Sequence, residues 1–290
     1  MQKSYPSPRP FDFRDSPTAV SPSFPLWQKS VAEDRKKLSY LVSVITPTYN
    51  GARYLRRVVD SVALQTVPVL EHIIIDDGSS DLSDKILAQL QSEYPHLVVI
   101  YQKRKGAAWA RNKGISVAQG RYIAFLDADD TWSIHKVERQ IGYMEEHTRY
   151  FTYGDYHEVD IHTQRALRTY RTPKKVTHDQ LLRGCPIGCL TVAYNQEVLG
   201  KHYMPEVISG HDWGLWLRLT GLGYVAHKYP GIEANYSNGR NSLSSRKLRK
   251  MYHIYRVYRN TEGLSRVKAV FRTLEHSFAA LAKKIGLLYS

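Results

Sequence analysis

Between residues 41 and 126 the chain alternates short apolar runs with amphipathic stretches, and this pattern restricts the fold more than any other feature. The runs at 41–46, 70–75, 97–101 and 122–126 are rich in Val, Ile, Leu and aromatic residues, the composition of buried strands. After the first run, Tyr54, Leu55, Val58, Val59, Val62 and Ala63 recur at steps of three and four, which predicts a helix. Ile86, Leu87 and Leu90 mark a second helix, and the small residues of 106–115 suit a third. Repeated strand–helix alternation predicts an α/β domain with a parallel sheet. In such sheets ligands bind beyond the carboxyl ends of the strands. The residues there are polar: Pro47, Tyr49, Asn50 and Gly51 after the first run, Asp76 and Asp77 after the second.

The fourth run ends most abruptly, in Asp127, Asp129 and Asp130, followed by Trp132. Like charges set this close repel. One reading places a divalent cation among them, because carboxylates are hard ligands suited to Mg²⁺ or Mn²⁺. The other makes them an Asp-rich turn capping a helix that starts near Ser133. A glycine-rich dinucleotide loop is absent, since the first turn has only Gly51, and no P-loop sequence occurs. Any nucleotide must therefore be held by side chains and a metal.

Past Ser133 the alternation is lost. Val137, Ile141 and Met144 predict a helix, 150–153 a strand, 156–173 an irregular hairpin bearing Arg165, Arg168 and Arg171, 177–184 a short capped helix and 189–194 a strand. At 210–219, Trp213, Trp216, Leu217 and Thr220 share a helical face, with His211 and Asp212 at its start. Asp212 reads equally as a first-turn acid favoured by the helix dipole or as a carboxylate facing the aspartate cleft.

The net charge of +14 calls for an anionic partner. Eleven Lys or Arg against two Glu in 246–290 supply nine of those charges. That segment is helical by pattern, with Leu264, Val267, Val270, Phe271, Leu274, Phe278, Leu281, Ile285 and Leu288 forming a stripe. It reads either as a terminal helix docked on its own domain or as a basic amphipathic helix on an anionic membrane surface. No run is long and apolar enough to span a bilayer, and the N-terminus lacks a secretory apolar region. Residues 1–39, with prolines at 6, 8, 10, 17, 22 and 25, read as an irregular arm. Cys185 and Cys189 lack the spacing of a redox pair or zinc site and read as buried reduced thiols.

Four motifs in series, Val44-Ile-Thr-Pro-Thr-Tyr-Asn50, Ile74-Ile-Asp-Asp-Gly-Ser-Ser-Asp81, Ala110-Arg-Asn112 and Phe125-Leu-Asp-Ala-Asp-Asp130, resemble family 2 glycosyltransferases. His211-Asp-Trp213 resembles that family's later acidic-Asp-Trp element, with His211 where an acid is common. The second half is similar to bacterial glycosyltransferases of teichuronic-acid and envelope-polysaccharide synthesis. The resemblance implies a GT-A fold, a Rossmann-like mixed sheet flanked by helices with a C-terminal helical extension. It divides the chain into an arm (1–39), a catalytic domain (40–240, nucleotide half 40–132, acceptor half 133–240) and basic helices (241–290). It implies that Thr46, Pro47, Tyr49 and Asn50 surround the nucleotide, that Asp77, with Asp76 beside it, reads uracil, and that Arg111 lies near the nucleotide. Asp127 would face the ribose, Asp129 hold the metal and Asp212 act as base. Trp132, Trp213 and His211 would meet the acceptor. The implied reaction is metal-dependent, inverting transfer from a UDP-sugar to a lipid-linked glycan at the cytoplasmic face of the membrane, with no nucleic acid partner. Two rivals remain: a sugar nucleotidyltransferase, and a non-enzymatic binding protein using Tyr252, Tyr255 and Tyr258 among the basic residues.

Overall fold

The computed structural model describes residues 41–238 and 247–284, so the arm over 1–39 lies outside the described residues. The four apolar runs form β1 (Val42–Thr48), β2 (Glu71–Asp76), β3 (Leu97–Tyr101) and β4 (Tyr122–Phe125). Helices α1 (Ala52–Ala63), α2 (Ser83–Glu93) and α3 (Ala107–Val117) connect them. These strands pair in parallel in the order β3-β2-β1-β4. The chain crosses from β1 to β2 on one side and returns to β4 on the other, so a crevice opens beyond the ends of β1 and β4.

The second half extends the same sheet in mixed directions. It contributes β5 (Thr131–Trp132), α4 (Lys136–Glu146), β6 (Phe151–Asp160), β7 (Ala166–Tyr170), β8 (Lys175–Val176) and α5 (His178–Leu181). Then come β9 (Ala193–Asn195), α6 (Gln196–Leu199), α7 (His211–Gly221) and β10 (Ala226–Asn238). Strand β9 pairs antiparallel with β4 and with β6, and β10 runs parallel to β6. Helices α8 (Lys247–Thr261) and α9 (Arg266–Lys284) close the chain.

Side chains alternate across β1. Val42 and Val44 pack with Leu55, Val58 and Trp132 on one face, and Ile45 joins Phe125, Trp216 and Val257 on the other. Helix α3 lies close to β1 because Gly114 has no side chain: a Cβ there would meet Ile45 at 2.5 Å.

The 156–173 hairpin keeps the expected irregularity: β6 and β7 pair antiparallel with Tyr156 stacked on Tyr170, and their register shifts between Glu158 and Val159. Other expectations are corrected. The expected 189–194 strand is a 3₁₀ turn, Cys189–Thr191, ahead of β9, because Thr191 hydroxyl and amide bond back to the Gly188 carbonyl. The helix expected from Ser133 begins at Lys136, since Thr131 and Trp132 pair with β10 first. The C-terminal helices, by contrast, are helices as expected, two of them separated around Gly263 at φ +61. Cys185 is exposed and Cys189 half-buried, because 182–188 is an irregular loop.

Candidate active site

The ends of β1 and β2 are laced together. Asn50, in the left-handed region at φ 50, donates its amide to Ser79 Oγ at 2.8 Å, and its side-chain oxygen accepts from the Ser80 amide at 2.8 Å. Pro47 is half-buried, and Tyr49 stands exposed beside them. Thr46 does not reach the crevice. It is fully buried and shares a 2.9 Å hydrogen bond with His72 Nε2. Burial, with His96 nearby, pushes His72 down to about 3, so this ring is neutral.

The adjacent acids differ. Asp77 Oδ1 accepts from the Gln102 side chain (2.7 Å) and the Lys105 amide (2.8 Å), and Oδ2 from the Gly106 amide (2.7 Å). Asp77 thereby fixes the loop between β3 and α3. Asp76 Oδ1 accepts from the Ser79 amide, whereas its buried Oδ2 has no protein partner among the described residues. Arg104, which the sequence motifs did not single out, covers Tyr49 at 3.9 Å from the ring centroid and donates to its hydroxyl at 2.9 Å. Its only signal in the sequence is the basic run 103–105. Gly78, at φ +76, leaves room for this loop, since a Cβ would meet the Arg104 amide at 3.0 Å.

The three aspartates after β4 have three environments. Asp127 forms an ion pair with Arg111 of α3, and its side chain is 37% exposed. Asp129 is half-buried; burial and then Asp127 raise its carboxyl above the usual range. Its backbone carbonyl accepts from Arg57 at 2.7 Å, another contact the sequence motifs missed. Asp130 is 1% exposed and accepts from the Ser237 amide at 2.8 Å, anchoring the end of β10. Burial followed by Asp127 and Asp129 holds it well above the ordinary carboxylate value. Asp130 thus carries structure, and Asp127 and Asp129 are left to face the crevice.

Arg111 links this crevice to α7. Its second nitrogen donates to His211 Nε2 at 2.6 Å, which leaves the ring proton on Nδ1. Burial, then the Arg111 charge, push His211 down to about 4, so it is a neutral acceptor. Burial opposes the Arg111 charge, but Asp127 and Asp212 outweigh it and keep the guanidinium firmly protonated. Asp212, half-buried in the first turn of α7, belongs to the same charge cluster.

Two expected sugar platforms are core residues. Trp132 is 2% exposed with its indole N–H on the Leu190 carbonyl. Trp213 is 3% exposed, donates to the Leu181 carbonyl and packs against Tyr258 and His276. Each polar edge is satisfied internally, so neither ring face is open to a sugar. The tyrosine array proposed for nucleic acid also dissolves, because Tyr258 is buried with its hydroxyl on Leu182 while Tyr252 is 54% exposed.

The crevice therefore joins the loops beyond β1 and β2, a pair of carboxylates suited to a cation and a further carboxylate on α7. The Glycosyl transferase family 2 model matches residues 43–201. The chain is a family 2 glycosyltransferase. TuaG of Bacillus subtilis, a glycosyltransferase assigned to teichuronic acid biosynthesis, is 36% identical over 246 residues, covering 84% of this chain and 98% of that protein. The Escherichia coli UDP-Glc:α-D-GlcNAc-diphosphoundecaprenol β-1,3-glucosyltransferase WfgD is 35% identical over 217 residues, covering 69% and 81%. The mannosyltransferase PcManGT of Pyrobaculum calidifontis, solved with GDP-Man and Mn²⁺, superposes with a TM-score of 0.59 at 16% identity, covering 86% and 81%. This last likeness is of fold, and it agrees with the GT-A architecture of a mixed sheet flanked by helices. The glycosyltransferase family makes the chain a transferase of class EC 2.4 and disposes of the nucleotidyltransferase and non-enzymatic readings.

Proposed function

We propose that the enzyme moves a sugar from a UDP-sugar to a lipid-linked glycan in cell-surface polysaccharide synthesis, inverting the anomeric carbon. The observation that carries this reading is the Arg111 bridge, which ties Asp127 to His211 and brings the aspartate cluster beside Asp212. The uridine donor and diphospho-polyprenyl acceptor follow the activity named for WfgD.

A divalent cation fits the cluster. Asp127 and Asp129 are hard donors, and Asp129 is already raised by burial and a like charge that a cation would relieve. No group of three or more His, Cys, Asp or Glu among the described residues forms a metal site, so the donor phosphates would have to complete the shell around Asp129. When bound, Mg²⁺ or Mn²⁺ acts as a Lewis acid that neutralises charge on the departing diphosphate. The chain's own residues do the rest. Tyr49 and Arg104 cover the base, Asp76 offers its free buried oxygen to a base or ribose donor, and Asp77 holds the loop beneath. Asp127, paired with Arg111, faces the ribose. Asp212 removes the acceptor hydroxyl proton as that oxygen attacks opposite the leaving group. His211, neutral where the family often has an acid, holds Arg111 without adding charge beside the base.

The acceptor's lipid calls for a membrane surface, and α9 supports one. Its Ala269 and Thr273 face the domain, whereas Val267 (80%), Phe271 (62%), Leu274 and Val270 are exposed between Arg266, Lys268 and Arg272. The stripe thus points outward even though the helix is docked. Phe278, Leu281, Ile285 and Leu288 lie outside the described side chains. No helix of the described residues is long and apolar enough to cross a membrane. We propose peripheral attachment to an anionic inner leaflet.

Calorimetric titration of UDP with and without Mn²⁺ tests the site. Wild type should bind in a metal-dependent way, and Asp129→Ala should lose at least about tenfold in affinity. Metal-independent binding unchanged in Asp129→Ala would refute the assignment.

A further inference from the structure

A cavity of about 680 Å³ lies behind α3. At about 100° per residue, Trp109 and Lys113 lie roughly 160–200° around that helix from Arg111, so they point away from Asp127. The cavity is walled by α3, by the segment before α7, and by Arg218 of α7 and Arg256 of α8. The Asn112 side chain, on the cavity wall, holds Met204 through two backbone contacts of 2.7 and 2.9 Å.

Its charge is one-sided. Lys105, Lys113, Arg218 and Arg256 converge on it against the single acid Glu206. Among the described residues none of these four cations forms an ion pair with a carboxylate. Four cations around one cavity repel one another, and a multiply charged anion relieves that repulsion. The rim is aromatic: Trp109 is 40% exposed, with the Lys105 ammonium 4.9 Å from its ring, and Tyr203 is 41% exposed. Aromatic rings beside cations are the composition of a membrane–water boundary. The helix pair α8–α9 supplies both the Arg256 wall and the exposed apolar stripe.

We propose that this cavity binds a lipid-borne phosphate, either the headgroup of an anionic phospholipid or the diphosphate of the lipid-linked acceptor. The proposal rests on the membrane reading above and adds a discrete site to it. The cations hold the phosphate oxygens, and the aromatic rim lies at the headgroup level. Two groups at the cavity edge, Gln102 and the Lys105 amide, also hold Asp77, which connects occupancy to the nucleotide loop.

Flotation of the full chain with vesicles tests it. The vesicles are neutral phosphatidylcholine, phosphatidylcholine with phosphatidylglycerol, phosphatidylcholine with a polyprenyl diphosphate, and phosphatidylcholine with a fatty acid carboxylate. Lys113→Glu/Arg256→Glu alters the cavity, and Arg165→Glu/Arg168→Glu on exposed β7 and its turn makes the same charge change elsewhere. UDP titration checks that each variant is folded. Wild type should prefer the phosphate lipids over the carboxylate. The cavity variant should lose about tenfold or more of that binding, and the β7 variant about twofold or less. Preference for phosphatidylglycerol assigns a phospholipid headgroup, and preference for the polyprenyl diphosphate assigns the acceptor. Equal losses in both variants, or no preference for phosphate over carboxylate, overturn the cavity while leaving the membrane reading intact. Wild type that floats with none of the vesicles overturns both, and the UDP titration then shows whether the donor site stands alone.

Discussion

The two halves of the sheet deploy their functional residues differently. In the first half, β1, β2 and β4 are buried parallel strands, and the residues proposed to hold the nucleotide stand at and beyond their ends. Tyr49 is 39% exposed and Asn50 is exposed, so their side chains add little to the core. In the second half His211 and Asp212 open α7, and within the next turns Trp213, Leu215, Trp216, Leu217 and Leu219 are all buried. The proposed base and the packing thus occupy consecutive residues there. A substitution near the donor loops can change binding without touching stability, whereas one near the base risks the core. Arg111 is where the halves meet, pairing with Asp127 of one and His211 of the other.

The division predicts its own tests. Asp212→Asn should lower sugar transfer by about a thousandfold, the scale of a lost general base, while UDP affinity stays within about threefold. Paired turnover assays and calorimetry measure both. UDP binding lost together with turnover would place Asp212 inside the donor site and erase the distinction.

A smaller effect separates core from loop. Trp213→Ala should destabilise by about 3–5 kcal/mol, as expected for a buried indole. Tyr49→Ala should stay within about 0.5 kcal/mol yet weaken UDP. Denaturant unfolding of both variants decides the point, and a stable Trp213→Ala with reduced turnover would restore the indole as a sugar platform.

The smallest effect concerns Lys136, 1% exposed beneath the Trp132 ring at 4.2 Å. Burial pushes its ammonium down to about 7, with Glu233 opposing. An unfolded lysine titrates near about 10.4, so from about pH 7 upward the unfolded chain holds the extra proton and stability rises with pH. Wild type should gain on the order of 2 kcal/mol between about pH 7 and 9 that Lys136→Met lacks. Parallel pH profiles of unfolding would show this, and superimposable slopes would mean that the amine is not desolvated.

Much of the catalytic frame was legible in the residues. Short continuous apolar runs marked β1 to β4, steps of three and four and a small-residue stretch marked the helices between them, and the polar breaks marked the crevice. The Thr177 cap was legible too, because Thr177 and Gln180 form a capping box from adjacent residues. Longer-range features were not. Strand β10 escaped notice because Pro230 and Gly231, at φ +140, interrupt it; its pairing with β6 shifts register there, and only β6 shows that it is a strand. Thr46 read as a ligand because its motif does, yet its partner His72 lies on the neighbouring strand.

What the sequence determined by itself was the α/β class, the family and the set of charged residues at the strand ends. These depend on local periodicity and on motifs of a few residues. The tertiary structure alone decided which members of that set are free to act. It saturated Asp77, buried Asp130, Trp132 and Trp213, and left Asp127, Asp129 and Asp212 facing the crevice around Arg111. The reason is physical: desolvation and hydrogen-bond partners are set by neighbours distant in the chain, and a linear pattern carries no record of them.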